Sequence, residues 1–534
     1  MKKRLAMLVA LLLVIAIAVP AFAAVEFKYG GQFRARAIFQ DNLLDGDDRR
    51  NDNNNLLDYR MRMYFTFVAS ENLRVVTRFE VGDTTWGRGG SAVAGNRVGA
   101  GGGGNVGADT VNLETKNIYV EFGIPTTPVK ALVGTQGINL LNSWIIDDDF
   151  AAAVLKAKME PVTVQMGYVA GQVNTAVSWQ DRIDSWFGTV DYKGGPLAGS
   201  LIGYYQFGHN TVVSVDPTIM STPFGTIPGG TNNLGGGNVA RPLIGVTPQS
   251  IIDANAIVPP VRGASGVSIS GAKFLADNFG FLPGQVGHIE DNNLFDLGFN
   301  LEYKMSWMAA YFNFVKNLGG VDVVNDTLRR AFTADYEGFM LDAGANIFCG
   351  PYTFNIGGFY TTGDERQLNA TRTAVQFKNR DEIGRFVYPS ATQKYFSEIM
   401  GGGILDNVAN IAHTDAAGRK DYQWEGYGWP SNIWTVTVGG AWQALEQTKL
   451  SASYWYFGTS EDVSRLLNRT PGLRRFELVN DIGHELDFYV TQGIVDGLTL
   501  DVVGALLITG DAYTAAVDRE DNVYEVGARL QWSF

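Results

Sequence analysis

Six arginines recur at even spacings near the start of the chain: Arg34 and Arg36, Arg60 and Arg62, Arg74 and Arg78. In an extended strand, residues two or four apart point to the same side. Each pair therefore puts two guanidinium groups on one face of its strand. Three such strands laid side by side, about 4.8 Å apart, would gather all six into one positive wall. Such a wall does no covalent chemistry. It attracts anions, and because its members repel one another it needs water and counter-charge nearby. The candidate counter-charge is Asp147, Asp148 and Asp149, which follow the apolar Trp144, Ile145 and Ile146. The stretch Ile138 to Phe150 reads as a third long loop. A loop that is apolar and then acidic can bend inward, bury Trp144 and aim carboxylates at the arginines. Opposed charges across a narrow wet constriction are how pores select solutes. The same triplet can equally be a solvated loop tip.

Other chemistry is thinly signalled. The four histidines, His209, His288, His413 and His484, are scattered, and no metal-hydrolase, serine-hydrolase or Cys/His metal motif is present. His484 beside Glu485 reads as a polar pair at a strand end. Gly99 to Gly104 matches a dinucleotide fingerprint by letter, but it lies in a glycine-rich stretch without a strand–helix context and reads as a loop. The acidic run Asp41, Asp45, Asp47, Asp48 and Asp52 lacks the Gly and terminal Glu of a calcium loop. Neither enzymatic activity nor a cofactor is expected.

The elements that position the arginines are period-two strands. Phe27, Tyr29, Phe33, Ala35 and Ala37 oppose Lys28, Gln32, Arg34 and Arg36. Tyr59, Met61, Met63, Phe65 and Phe67 oppose Arg60, Arg62, Tyr64 and Thr66. Leu73, Val75, Phe79 and Val81 oppose Arg74, Arg78 and Glu80. The final residues alternate too, with Tyr524, Val526, Ala528, Leu530, Trp532 and Phe534 against Glu525, Gly527, Arg529, Gln531 and Ser533. A strand of this length can cross a bilayer at a tilt, which takes roughly 9–11 residues. An arginine facing lipid costs about 2–4 kcal/mol at the bilayer midplane, so six on one face must look into a lumen.

Short connections at Pro125 to Pro128, Glu160-Pro161, Gly194 to Pro196, Cys349 to Tyr352, Glu446 to Lys449 and Asp496-Gly497 alternate with long polar stretches. The long ones are Gly82 to Asn112, His209 to Asp291, Thr362 to Asn432 and Ser460 to Asp481. Thr362 to Asn432 holds a possible short helix near Gln393 to Ile404. This rhythm predicts an all-β fold, a transmembrane antiparallel β-barrel of 16 or 18 strands with short periplasmic turns and long extracellular loops. Trp434 and Trp442 lie about 20 Å apart along the bilayer normal in such a strand, which suits two aromatic girdles. A soluble β-helix or sandwich is the competing fold; it would need a second core to bury so many one-sided strands.

The first residues predict export. Lys2, Lys3 and Arg4, an apolar run from Leu5 to Val19, Pro20 and the small-x-small site Ala21-Phe22-Ala23 form a signal peptide over residues 1–23, leaving 24–534 as one barrel domain with long loops near 209–291 and 362–432. Formal net charge is −13 before any cleavage, which argues against nucleic acid as a partner. Cys349 is the sole cysteine, so no intrachain disulfide forms.

The arginine-bearing strands, the Arg78–Gly82 segment RFEVG followed by DTTWG, and the terminal ARLQWSF resemble the outer-membrane homotrimeric porins of anaerobic sulfate-reducing bacteria. Tyr524, Trp532 and Phe534 are similar to the terminal signal read by the barrel assembly machinery. The resemblance implies an outer-membrane homotrimer, contacts with outer-membrane lipid and lipopolysaccharide, and a pore for small hydrophilic solutes with its third loop folded inside. A passive diffusion channel, filtered by the arginine wall and an acidic third loop, is the leading expectation. A substrate-selective channel for a small anion or organic acid and a non-transporting adhesion barrel are the rivals.

Overall fold

The computed structural model describes residues 25–42, 54–86, 113–170, 183–214, 286–325, 329–372, 375–377, 381–388, 395–406, 412–414, 420–423, 430–468, 475–514 and 521–534. The expected signal peptide, the glycine run at 99–104 and most of the stretch between His209 and Asp291 lie outside these residues.

Period-two alternation becomes strand almost everywhere it occurs. In chain order the wall consists of β1 (Glu26–Asp41), β2 (Asn54–Ser70), β3 (Leu73–Thr85), β4 (Leu113–Gly123), β5 (Val129–Leu140), β6 (Ile146–Met159), β7 (Val162–Val169), β8 (Ile183–Gly194) and β9 (Leu197–Ser214). It continues with β10 (Val286–Lys304), β11 (Met308–Asn325), β12 in two pieces (Arg330–Tyr336 and Phe339–Cys349) and β13 (Tyr352–Thr361). The last strands are β14 (Ile433–Leu445), β15 (Thr448–Asn468), β16 (Arg475–Val495), β17 (Leu498–Thr509) and β18 (Val523–Ser533). Both pieces of β12 pair with β11, one above the other, so they are a single interrupted strand. The short segment Glu382–Ile383 adds in parallel to the upper piece from inside. The sheet thus closes as 18 antiparallel strands.

Closure is made by β1 and β18, paired from Gln32 opposite Ser533 to Asp41 opposite Tyr524. The terminal residue joins in: Gly31 N–H donates to Phe534 O at 3.0 Å and Phe534 N–H to Gly31 O at 3.1 Å. A closed ring has no sheet edge, which is what a membrane-spanning sheet requires. The outer surface supplies the other requirement. Phe27, Leu201, Phe354, Ile356, Val438 and Phe488 each expose half or more of their surface outward, a belt that is stable only against apolar surroundings.

Three expectations are corrected. Ser460 to Asp481 is not a loop throughout, because β15 runs on to Asn468 and β16 starts at Arg475, the two paired past an irregularity at Gly458. Ile138 to Phe150 is mostly paired strand rather than loop, with Leu140 opposite Ile146. The described part of the expected helix, 395–404, consists of turns; it is tied down by side chains of the wall instead of by its own helical ladder.

Candidate functional site

The register of β18, β1, β2 and β3 builds the basic wall. Arg34 lies opposite Arg60, and Arg36 lies opposite Asp58 on one side and Arg529 on the other. Arg62 lies opposite Glu80, and Arg529 opposite Asp501 of β17. Residues paired this way share a face, so these charges all look inward. Arg36 holds Asp58 with both ends of its fork, Nε at 2.9 Å and Nη2 at 2.5 Å. Arg62 Nε donates to Glu80 at 2.6 Å, and Arg529 donates to Asp501 at 2.9 Å and 3.1 Å. Bidentate arginine–carboxylate pairs are the strong form of the interaction.

Exposure falls along the wall from one rim towards the middle. Arg74, near the short turn at 71–72, is 46% exposed and bonds Glu121; Arg62 is 31% exposed, Arg60 11% and Arg34 3%. Arg78 is also exposed and lies over the Tyr64 ring at 5.1 Å. The lumen is therefore open beside Arg74 and Arg78 and filled beside Arg34 and Arg60.

What fills it is segment 395–406, from the long connection between β13 and β14. Asp406 sits against the wall, its carboxylate ion-paired to Arg34 and 3.2 Å from Arg60, with Arg36 at 3.9 Å. Arg36 also donates to the carbonyls of Leu405 and Asp406, and Arg529 to that of Ile404. The other end of the segment is docked on β16, where buried Glu485 accepts from Ser397 Oγ at 3.0 Å, Ile399 N–H at 2.7 Å and Met400 N–H at 3.1 Å. Glu398 folds back on the turn and takes Ile404 N–H at 2.7 Å.

These surroundings act on the segment's acids. Burial by itself raises the Asp406 carboxyl, but Arg34, Arg60 and Arg36 together hold it below the usual carboxylate range. Glu398 is pushed up to about 8, chiefly by burial and then by Glu525.

A second intrusion comes from β5 and β6. Pairing of β4 with β5 ends at Ile118 opposite Thr135, and pairing of β6 with β7 begins at Ala152 opposite Val169. Between those limits β5 and β6 pair only with each other, so residues 136–150 leave the wall as a two-stranded ribbon. Gly134 stands at the branch with φ +134°, where a Cβ would collide with the Ile118 carbonyl oxygen. The turn carries Leu141, Asn142 and Ser143 in left-handed conformation. It crosses to β10–β12, half-way round the ring from β1. There Asn300, Asn313 and Asp342 form a row, with Asn300 Nδ2 donating to Asn313 at 2.8 Å and Asn313 Nδ2 to Asp342 at 3.0 Å. Trp144 Nε1 donates to Asp342 at 2.7 Å, and Asn142 Nδ2 to Asn313 at 3.1 Å. The Trp144 ring is fully buried, edge-on to Phe359 with centroids 5.4 Å apart.

The sequence-expected site residues divide accordingly. Arg34, Arg36, Arg60, Arg62, Arg74 and Arg78 share one inner wall. The counter-charge directly on Arg34 and Arg60 is Asp406, not the aspartate triplet. Asp147, Asp148 and Asp149 lie in β6 at the ribbon's base: Asp147 accepts from Ser143 Oγ at 2.6 Å, Asp148 from Asp149 N–H at 2.8 Å, and Asp149 from Asn117 Nδ2 at 2.6 Å. Asn117 is the register partner of Arg78, so Asp149 reaches the edge of the wall. Tyr524, Trp532 and Phe534 occupy the closing strand and chain end, with Trp532 and Phe534 rings 4.6 Å apart. His484 and Glu485 are no pair: successive strand residues face opposite ways, and His484 lies outside with Tyr454 Oη at 2.7 Å. Arg529, Asp58, Glu80 and Asp501 belong to the site and were not singled out from sequence, although the alternation Glu525, Gly527, Arg529 carried the signal for the first. Among the described residues no cluster fits a metal ion.

No family profile and no curated protein matches the chain. Among solved structures it is similar to Pseudomonas aeruginosa OpdO at 10% identity and a TM-score of 0.45, covering 95% of this chain and 97% of that one. It is similar to Pseudomonas aeruginosa OpdQ at 9% identity and a TM-score of 0.47, covering 95% and 97%. The outer membrane protein opdK of Pseudomonas aeruginosa gives 8% identity and a TM-score of 0.45, covering 95% and 98%.

Proposed function

We propose that the chain is an outer-membrane channel that admits small hydrophilic solutes through a narrow lumen lined by charge, and that it is substrate-selective rather than a wide diffusion pore. The observation that carries this reading is the position of Arg34 and Arg60. Both are buried inside a closed barrel, and both meet a carboxylate brought in by a folded-in segment. A wide diffusion pore has no need of such a contact, whereas a constriction that distinguishes solutes by charge is built from such groups. The wall ranges from open beside Arg74 to enclosed beside Arg34, so a solute anion meets successively less hydrated guanidinium groups. No step needs a cofactor or a covalent intermediate.

Flux of small organic acids into liposomes loaded with purified protein tests the reading. Saturating flux supports a selective channel, linear flux a bulk pore, and no leakage the adhesion barrel. The same proposal includes a homotrimer in contact with outer-membrane lipid and lipopolysaccharide, exported by a cleaved signal peptide and assembled through a terminal signal at Tyr524, Trp532 and Phe534. Conductance steps arriving in groups of three would support the trimer.

A further inference from the structure

Arg34 and Arg60 face each other directly across the β1–β2 ladder. Like charges in register repel and persist only when a third group bridges them. The neighbouring arginines have wall carboxylates to hold: Arg36 holds Asp58, Arg62 holds Glu80, and Arg529 holds Asp501. For Arg34 and Arg60 a close carboxylate is Asp406, and among the described contacts the wall acid Glu80 stands 4.0 Å from Arg60. Asp406 is not part of the wall. It is carried in by a segment whose other ties are, at this end, carbonyl groups held by Arg36 and Arg529 and the burial of Leu405 against Ile38 and Val503, and, at the far end, Glu485 and the packing of Phe396, Ile399 and Met400.

We propose that Arg34 and Arg60 form an anion site in the lumen which the chain fills with its own Asp406, and that this contact latches segment 395–406 inside the barrel until a dissolved oxyanion takes the carboxylate's place. A carboxylate and a phosphate present the same kind of acceptor oxygens to a guanidinium pair. Exchange costs the site no charge balance, because one bridging anion replaces another. It costs the segment its ion-pair tie at this end, and leaves the carbonyl contacts from Arg36 and Arg529 and the buried Leu405. The anion therefore loosens the segment instead of expelling it. The proposal rests on the channel reading for its physiological meaning. The latch itself is a property of the folded barrel whether or not that barrel conducts.

The experiment is hydrogen exchange on the full-length protein, folded in detergent micelles, with peptides covering 395–406 compared with peptides from β1 and β18. Inorganic phosphate is the probe, raised against chloride at constant ionic strength. Asp406→Asn is expected to speed exchange in the segment by about tenfold while leaving the closing strands unchanged, as local opening does. Phosphate is expected to speed it saturably in the wild type and to have no such effect in Asp406→Asn. An Arg34→Gln/Arg60→Gln variant should be loose at the start and insensitive to phosphate. Unchanged exchange in Asp406→Asn overturns the latch. Loosening by Asp406→Asn without a phosphate response in the wild type overturns the exchange of anions. Silent bilayers together with the expected exchange pattern would remove the channel reading and leave the latch standing.

Discussion

Two of the described pieces of chain inside this barrel differ in how much charge adds to the apolar burial that holds them. The ribbon 136–150 crosses to the β10–β12 wall and anchors itself by burying Trp144, Ile145 and Ile146, each with no exposed surface. Its polar contacts there run along a row of two asparagines and one aspartate. Segment 395–406 rests on the β18–β1–β2 wall, where ion pairs and charge-assisted hydrogen bonds add to the burial of Leu405 against Ile38 and Val503, while its other end packs Ile399 and Met400 into the apolar cluster that also holds Trp144. Burial of apolar area contains no titrating group and is not screened by dissolved ions, whereas contacts between charges respond to both pH and ionic strength. Solution conditions should therefore act more on the Asp406 end of the segment than on the Trp144 end of the ribbon.

The largest test of this contrast is Trp144→Ala. Truncating a fully buried tryptophan costs about 3–5 kcal/mol, and here it also leaves Asp342 without its indole donor. Exchange protection across 136–150 should collapse, while protection of 395–406 falls less, because Phe359 lies between Trp144 and Phe396. Loss of protection in both pieces together would show that they dock as one body. Glu485→Leu comes next. It leaves Ser397 Oγ, Ile399 N–H and Met400 N–H without their buried acceptor, a loss of about 1–3 kcal/mol. Limited proteolysis of folded protein should then cut within the segment at far lower protease concentration, with the ribbon still resistant.

The segment's pH dependence follows from its two acids. Glu398 has its folded value raised to about 8 from an ordinary 4.5. Such a group stabilises docking fully below its unfolded value, and that contribution is lost as pH rises through about 8. Protection factors in 395–406 should therefore fall between roughly pH 5 and 9, and Glu398→Gln should flatten the curve. Asp406 works the other way: its value is lowered, so its contribution is present above the usual carboxylate range and is lost as pH falls through the lowered value. The smallest effect is expected for Arg74→Gln at the open end of the wall, where a half-exposed ion pair is worth about 0–1 kcal/mol. Its thermal midpoint should match the wild type, and only the ratio of anion to cation permeability should shift.

The contrast also explains what could be read in the sequence. Barrel strands announce themselves because one face meets lipid and the other meets water, so polarity alternates residue by residue. The arginine wall was legible for the same reason. Trp144 was legible as a buried anchor because three large apolar residues have no place in an otherwise polar loop. Asp406 was not legible. It lies in a long connection with no period, and its arginine partners are more than 300 positions away, chosen by the path of the chain rather than by local spacing. The aspartate triplet misled because it has the better local pattern: three consecutive acids beside an apolar run outrank one isolated aspartate in any reading by composition. The ribbon was read as loop because strand pairing between β5 and β6 continues after both have left the barrel wall.

The central claim is that water and small solutes pass through this barrel along the arginine wall. Single-channel recording of the purified, folded protein in planar bilayers tests it most directly. Discrete conductance steps that grow larger in Asp406→Asn are the expected result. Bilayers that stay silent for both proteins, with folding confirmed in the same preparation, would contradict it.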